Sequence, residues 1–270
     1  DKMPNHFLWD PRYPYEAPEE LNTLIEGESL FNDATAIVLF TILTGIALGT
    51  TEPDALNGVM TFLKVFFGGI LVGSILGYGF VFLQKILAHD AVSHALFTIV
   101  LAYGSFYIAE HTFHFSGVMA VLMAALVYRN NAQLNSVNTY HNLHSVWELI
   151  AAIANLFVFI LLGLVISVDM FQDRWFAMLI GIAAATVARL VAIYISVGIT
   201  GLFGNTINPK YPPLMWWGGL RGAVTVALVL SLPIELPYWY TIQSIGFGVV
   251  LFTLVVQANT TGWMFRKLKI

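Results

Sequence analysis

Apolar residues in this chain form long blocks separated by short polar segments, without the strict alternation that marks half-buried strands. A helix that crosses a bilayer needs about 20 mostly apolar residues. Eight blocks are long enough, so we predict an all-α fold, a polytopic transmembrane helical bundle of about eight spans. The predicted spans are about 24–49, 58–87, 92–109, 115–130, 145–168, 174–203, 213–233 and 240–265.

The third and fourth blocks are short and are separated only by EHTFH. A single re-entrant hairpin is therefore an alternative to two spans. The continuous apolar run FSGVMAVLMAALVY favours two spans.

Composition supports a membrane location. Hydrophobic residues make up 58% of the 270 residues and charged residues only 10%, against roughly 25% charged residues in soluble domains. The chain has no cysteine, which excludes a disulfide framework and a thiolate metal site. Its net charge of −4 offers no basic stripe, so no nucleic-acid partner is expected.

Residues 1–20 are polar and proline-rich, without the apolar core of a signal peptide. We predict a polar cytoplasmic N-terminal segment over 1–20 and a transmembrane domain over 21–270.

Charges in the connecting loops segregate by sign when eight spans are assumed. Basic loops face the cytoplasm in membrane proteins, so the pattern predicts that both termini are cytoplasmic. One set of loops and ends holds Lys85, Arg129, Lys210, Arg266, Lys267 and Lys269; the other holds Glu52, Asp54, Glu110, Asp169, Asp173 and Glu235 with one Arg174.

Several ionisable side chains fall inside the apolar blocks. A charge at the bilayer centre costs from about 3 to about 10 kcal/mol or more, so such residues are by default functional. The first block, LIEGESLFNDATAIVLF, contributes Glu26, Glu28 and Asp33; later blocks contribute Glu148, Arg189 and Arg221.

Ser29 and Asp33 are four residues apart and therefore share one helix face. Glu28 and Asn32 are also four apart and share a neighbouring face. A hydroxyl and a carboxylate are hard oxygen ligands that suit a small alkali cation. Removal from water makes a carboxylate hold its proton more strongly, so Asp33 could bind either a proton or Na+. Such competition is the minimum machinery of antiport. The alternative for Asp33 is an ion pair with Arg189 or Arg221 that only joins two helices.

The other intramembrane charges favour structural roles. A buried arginine must have a partner, so we predict a structural ion pair between Glu28 and Arg189, with Arg221 as the alternative partner. Glu26 is expected to be solvated. Glu148 lies close to a helix start, where the helix dipole favours an acid.

Glycine patterns predict one broken helix and one close helix contact. Three glycines surround Arg221 in WWGGLRGAVTVALVLSLP, and each costs about 1 kcal/mol relative to alanine. We predict a break there that turns backbone dipoles toward a cavity, as in transporters; a closely packed crossing is the alternative. Gly69, Gly73 and Gly77 repeat at helical spacing, which is typical of closely packed helices.

Histidines and enzyme motifs add little. His141 and His144 are spaced i, i+3, and a zinc site or a pH-sensing role there is a weak interpretation. The chain has no Gly-x-Ser-x-Gly and no His-Glu-x-x-His motif, so an intramembrane enzyme is not indicated.

Two of these segments carry a family resemblance. LIEGESLFNDATAIVLF and WGGLRGAVTVALVLSLP closely resemble the two best-marked helices of the sodium/proton exchangers, the monovalent cation:proton antiporters. VWELIAAIANLFVFILLGLVI, FSGVMAVLMAALVYRN and the VARLVAIY segment match in the same order and spacing. The likeness runs from about Leu21 to about Gln257 and covers the C-terminal two-thirds of the family's transport domain.

The resemblance implies an inverted-repeat fold with crossed, broken helices, a homodimer, and exchange of Na+, or Li+ or K+, for H+ in a lipid bilayer. It implies that Asp33 carries the ion or proton, with Ser29 as a side-chain ligand and Asn32 in support. Relatives with Asn before this carboxylate are usually electroneutral, so one cation per proton is expected. The same resemblance implies a role in pH regulation and a location in the plasma membrane. It also implies that no cofactor is needed.

The chain departs from the family pattern before the Glu-Ser-Leu-Phe-Asn-Asp segment. Members have further helices there, including a Thr-Asp-Pro break whose Asp joins the ion site; here only Asp10-Pro11 corresponds, 23 residues before Asp33. Asp10 is therefore a poor candidate ligand, and the domain is expected to be truncated at its N-terminus. The alternative function is a non-transporting homologue that acts as a scaffold or regulatory subunit.

Overall fold

The structure, a computed structural model, describes residues 19–50, 54–87, 91–131, 137–204 and 207–268. In this part of the chain every regular element is helical, which confirms the all-α fold. Two π-helical turns interrupt the α-helices, at Ile108–Thr112 after α3 and at Thr253–Gln257 between α9 and α10. The helices are α1 Glu19–Ala47, α2 Ala55–Leu87, α3 Ala91–Tyr107, α4 Gly117–Asn131, α5 Val137–Val165, α6 Val168–Leu202, α7 Tyr211–Trp217, α8 Ala223–Leu230, α9 Trp239–Phe252 and α10 Ala258–Leu268.

The predicted number of spans was too high. Within the described residues, six helical segments, not eight, are long and apolar enough to cross a membrane. Their large apolar side chains are widely exposed, as expected of helices that face lipid. The six segments are Thr23–Ala47, Leu56–Leu87, Val92–Thr112, Leu143–Val165, Val168–Leu202 and Trp239–Lys267.

Both of the remaining predicted spans are shortened by local backbone structure. The block predicted at 115–130 forms α4, whose 15 residues reach about 22 Å at 1.5 Å per residue. The block at 213–233 is split into α7 and α8, of 7 and 8 residues, by a non-helical segment at Gly218–Gly222. Hydropathy alone counted both blocks because it measures apolarity and not helix continuity.

A compact connection ends α3 and starts α4. The Glu110 carboxylate accepts a hydrogen bond from the Gly117 N–H, with 2.8 Å between Oε2 and N. The Ser116 N–H donates to the Val65 carbonyl of α2 at 3.0 Å. His114 has φ of 55°, in the left-handed region that tightens this turn. These bonds fix where α4 begins and so limit its length.

By its contacts the chain divides into two compact units. Among the described residues, the first unit contains 19–31, 162–204, 207–234 and 238–268, and the second contains 32–50, 54–87, 91–131, 137–161 and 235–237. The helices α1 and α5 each contribute to both units, because the divisions fall at Phe31 and Leu161.

The second unit is built on close packing between α2 and α4. A Cβ atom added at Gly69 would meet the Ser116 carbonyl oxygen at 2.5 Å, and one at Gly73 would overlap the Ala120 carbonyl. Gly77 lies against Val127 in the same way. The glycine spacing therefore predicted this contact correctly.

The core of the first unit gathers residues from α1, α6 and α7. Leu21, Ile193, Tyr211, Leu214 and Met215 form one buried cluster, with Leu21 and Leu214 almost completely removed from solvent. Apolar side chains of α10 pack against this cluster. The cluster holds the N-terminal part of α1 beside the end of α7, directly before the helix break.

Candidate functional site

The helix α1 carries the predicted ion-binding residues. It runs without interruption from Glu19 to Ala47, since LIEGESLFNDATAIVLF contains no proline and only one glycine. Ser29 and Asn32 are exposed in the described chain, and Asp33 is half-buried. Ala34 and Val38, on the C-terminal side of Asp33, are buried. Their placement on one continuous helix puts Ser29 and Asp33 one turn apart.

The first unit contains a partly buried ion pair between Glu28 of α1 and Arg189 of α6. The Arg189 Nη2 atom lies 2.8 Å from the Glu28 Oε2 atom. The side chain of Arg189 is 11% exposed and that of Glu28 is 25% exposed. Charge-assisted hydrogen bonds at this distance are the strong ones. Of the two arginine partners considered for Glu28, the structure pairs it with Arg189.

A second acceptor fixes the Arg189 guanidinium at the end of α7. Its Nε and Nη2 atoms donate to the Met215 carbonyl oxygen at 3.2 and 3.1 Å. That carbonyl belongs to the last turn of α7, where intrahelical donors run out. A Cβ atom at Gly219 would overlap the same guanidinium, so only glycine fits there. Arg189 thus joins α1, α6 and the start of the helix break.

The break itself runs through Arg221. The Gly218 N–H closes α7 by donating to the Leu214 carbonyl at 2.7 Å, and the Leu220 N–H donates to the Gly218 carbonyl at 2.8 Å. Gly222 then takes an extended conformation before α8. The glycine-rich sequence therefore forms a broken helix, as predicted. Arg221 is half-buried within it.

Two residues that were not predicted as site residues support the break, one from the π-helical turn after α9 and one from α10. The Arg221 backbone N–H donates to the Thr253 hydroxyl at 3.2 Å, and the Trp217 indole N–H donates to the Thr260 hydroxyl at 2.7 Å. Thr253 and Gln257 delimit a π-helical turn, a feature that is frequent at functional sites. The polar residues of TLVVQANTT within an apolar block were the available signal.

The remaining acidic and histidine candidates lie either away from the ion pair and the helix break or outside the described residues. Asp10 falls in the part of the chain that the structure does not describe, as do the side chains of Glu26 and His141. Glu148 lies 3.2 Å from the His144 ring as an i, i+4 pair on α5, and both side chains are 47% exposed. Between residues 19 and 268, wherever placement is described, no three His, Asp or Glu side chains come together as a metal site.

These features define a class of protein: an integral, multi-pass helical membrane protein with charged side chains inside its spanning helices and one broken helix. Residues 15–267 match the family described as sodium/hydrogen exchanger, transmembrane. The chain belongs to this family of transporters, and the resemblance seen in its motifs is confirmed.

Curated relatives agree with the family. The Na+/H+ antiporter NhaH of Halobacillus aidingensis is 38% identical over 258 residues, covering 93% of this chain and 62% of its own length. The Na+/H+ antiporter NhaG of Bacillus atrophaeus is 38% identical over 93% of this chain and 48% of its own length. The low-affinity Na+/H+ antiporter NhaS1 of Synechocystis is 37% identical, with coverages of 93% and 49%. The chain thus spans about half to three-fifths of the length of these relatives.

Proposed function

We propose that this chain exchanges a monovalent cation, Na+ or alternatively Li+ or K+, for H+, with Asp33 as the carboxylate that binds the two in turn. The relatives named above are Na+/H+ antiporters, which supports this class of transport. The observation that carries the assignment to Asp33 is its half-buried position on an uninterrupted, apolar α1, one turn from Ser29.

The chemistry follows from that placement. A carboxylate inside a spanning helix is costly as a bare charge, and either a proton or a cation can neutralise it. Na+ can displace that proton only if oxygen ligands replace part of its hydration shell. The Ser29 hydroxyl, one turn before Asp33, and the carboxamide of the neighbouring Asn32 would supply such oxygens. Binding of one cation with release of one proton leaves the net charge of the site unchanged. The exchange is therefore electroneutral in this proposal.

The Glu28–Arg189 pair has a supporting role. The two charges neutralise each other at 2.8 Å, so the Glu28 carboxylate does not compete strongly for the transported cation. The pair instead fixes α1 against α6 and the end of α7 in the first unit. We propose that it positions the α1 turn that contains Ser29 and does not itself bind the ion.

Proton release upon Na+ addition tests Asp33 directly. The purified chain in weakly buffered detergent should release protons when Na+ is added, and Asp33→Asn should abolish the release because an amide has no proton to exchange. Asp54→Asn is the matched control: Asp54 is an exposed acid directly before α2, and its loss should leave the signal unchanged.

Flux through a bilayer tests exchange. Proteoliposomes with a pH gradient should show Na+-driven proton movement that Asp33→Asn removes and Asp54→Asn retains, without a membrane potential developing. Proton release or flux that is equal in the native chain and Asp33→Asn would exclude the carboxylate mechanism. A native chain that neither releases protons nor exchanges would favour the scaffold or regulatory function instead.

Assembly and orientation complete the proposal. We propose a homodimer in the plasma membrane with both termini in the cytoplasm. Support for the orientation comes from the basic residues at one set of helix ends, such as Lys85 in the last turn of α2 and Arg129 in the last turn of α4.

A further inference from the structure

A cavity lies within the second unit, apart from the residues assigned to ion exchange. It is formed by α3, α4 and α5 and has a volume of about 380 Å³, within the range of small-molecule sites of roughly 300–1,000 Å³. Most of its lining is apolar, with Leu101 and Ala102 from α3, Val121 and Ala125 from α4, and Leu143 from α5.

Hydrogen bonds between the three helices hold the walls of this cavity in place. The Trp147 indole N–H on α5 donates to the Thr98 hydroxyl on α3 at 3.0 Å. The His94 ring on α3 lies 3.4 Å from the Tyr128 hydroxyl on α4. Thr98, Tyr128 and Trp147 all line the cavity. The space is therefore bounded by joined helices.

One end of the cavity is cationic. Arg129, in the last turn of α4, and His144, near the start of α5, both line it. Arg129 is always ionised, and no acidic side chain in the described parts of the chain is within ion-pair distance of it. His144 is already engaged by Glu148 at 3.2 Å. Arg129 is thus the fixed positive charge at this end.

An apolar cavity with an arginine at one end fits a molecule that has an apolar body and a negatively charged group at one end. In a bilayer-spanning protein that molecule is a phospholipid, because its acyl chains surround the helices and its phosphate lies at the level of their ends. Basic pockets between transmembrane helices bind anionic headgroups, and arginine recognises phosphate through paired N–H donors.

We propose that this cavity binds an anionic phospholipid, with one acyl chain between α3, α4 and α5 and the headgroup phosphate on Arg129. Occupancy would fill the space between α3, α4 and α5. The bound lipid would link α3 to α5, and nothing in this role depends on cation exchange.

Lipid retention measured by native mass spectrometry tests the proposal. The full chain, purified from mixed phosphatidylglycerol and phosphatidylcholine, should retain phosphatidylglycerol preferentially. Arg129→Ala should lower the affinity for phosphatidylglycerol roughly tenfold through loss of a charge-assisted hydrogen bond, and Arg129→Lys should recover part of it. Lys85→Ala is the matched control, since Lys85 is an exposed cation of the same unit that does not line the cavity.

A second variant tests the cavity itself. Ala125→Phe places a ring in the space and should reduce retention of both lipids, whereas Gly79→Ala, on an open face of α2, should not. Size-exclusion profiles matching those of the native chain establish that each variant is folded.

The competing outcomes are distinct. Equal retention of the two lipids by the native chain, or retention unchanged in both Arg129→Ala and Ala125→Phe, overturns the proposal. Displacement of phosphatidylglycerol by inorganic phosphate alone would also overturn it, because the site would then take a free anion. Resistance to phosphate, together with loss of lipid in both variants, supports it.

Discussion

At the scale of single residues, the structure accommodates intramembrane charge by pairing it. Arg189 meets a carboxylate and a backbone carbonyl together, from Glu28 and Met215. An unpaired charge inside a spanning helix costs at least about 3 kcal/mol, so Arg189 requires the neutralising Glu28 carboxylate. The Met215 carbonyl accepts a hydrogen bond from the Arg189 Nε–H group, a donor that the carboxylate alone would leave unsatisfied.

A double-mutant cycle on the pair tests this account. Arg189→Gln and Glu28→Gln should each lower stability by about 2–4 kcal/mol, because each leaves a partly buried charge without its partner. The double variant should lose less than the sum of the single losses. Thermal unfolding in detergent measures the effect.

Arg174→Gln provides the control for that cycle. Arg174 lies on the same helix α6, is exposed, and lies over the Tyr240 ring with 5.9 Å from its guanidinium carbon to the ring centroid. Its replacement should change stability by less than about 1 kcal/mol. Losses from Arg189→Gln and Glu28→Gln that simply add would show that the two side chains do not act as a pair.

At the scale of elements, glycines determine how closely helices approach and where one of them ends. On α2 the stripe of Gly69, Gly73 and Gly77 admits the backbone of α4. Between α7 and α8, Gly219 admits the Arg189 guanidinium and Gly222 takes an extended conformation. The same residue type thus produces packing in one helix and a break in another, depending on what lies against it.

Two alanine substitutions on α2 separate packing from helix propensity. Gly73→Ala should destabilise the chain by about 1–3 kcal/mol, because the new methyl group overlaps the Ala120 carbonyl. Gly79→Ala, which meets nothing within 4 Å, should be neutral or stabilise by up to about 1 kcal/mol. Thermal unfolding in detergent compares them directly. Equal effects from both substitutions would show that α2 and α4 do not pack as described.

At the scale of the whole molecule, the proposed orientation in the membrane rests on the charges at helix ends. The helix α2 is the clearest case, since it is 33 residues long and has Asp54 directly before it and Lys85 in its last turn. By the positive-inside rule, we propose that the Lys85 end faces the cytoplasm and the Asp54 end faces outward.

The absence of native cysteine makes this orientation easy to measure. A membrane-impermeant maleimide should label Asp54→Cys in intact cells, and should label Lys85→Cys only after the membrane is permeabilised. Both positions are exposed, so neither should be protected by packing. Labelling of Lys85→Cys from outside, with Asp54→Cys protected, would reverse the proposed topology.

The sequence alone determined the fold class, the helix α1, the family and the position of the helix break. Each of these depends on local signals: apolar blocks long enough to span a bilayer, glycines that weaken one helix, and motifs such as LIEGESLFNDATAIVLF. It also narrowed the partner of Glu28 to two arginines, Arg189 and Arg221.

Only the tertiary structure decided which arginine pairs with Glu28, which of the eight apolar blocks form continuous helices, and that a cavity lies between α3, α4 and α5. Arg189 is 161 positions from Glu28 in the chain, so no local pattern could select it. The length of α4 depends on the Glu110–Gly117 and Ser116–Val65 hydrogen bonds. Hydropathy sums over neighbours in sequence, whereas pairing, helix ends and cavities arise from contacts between distant segments.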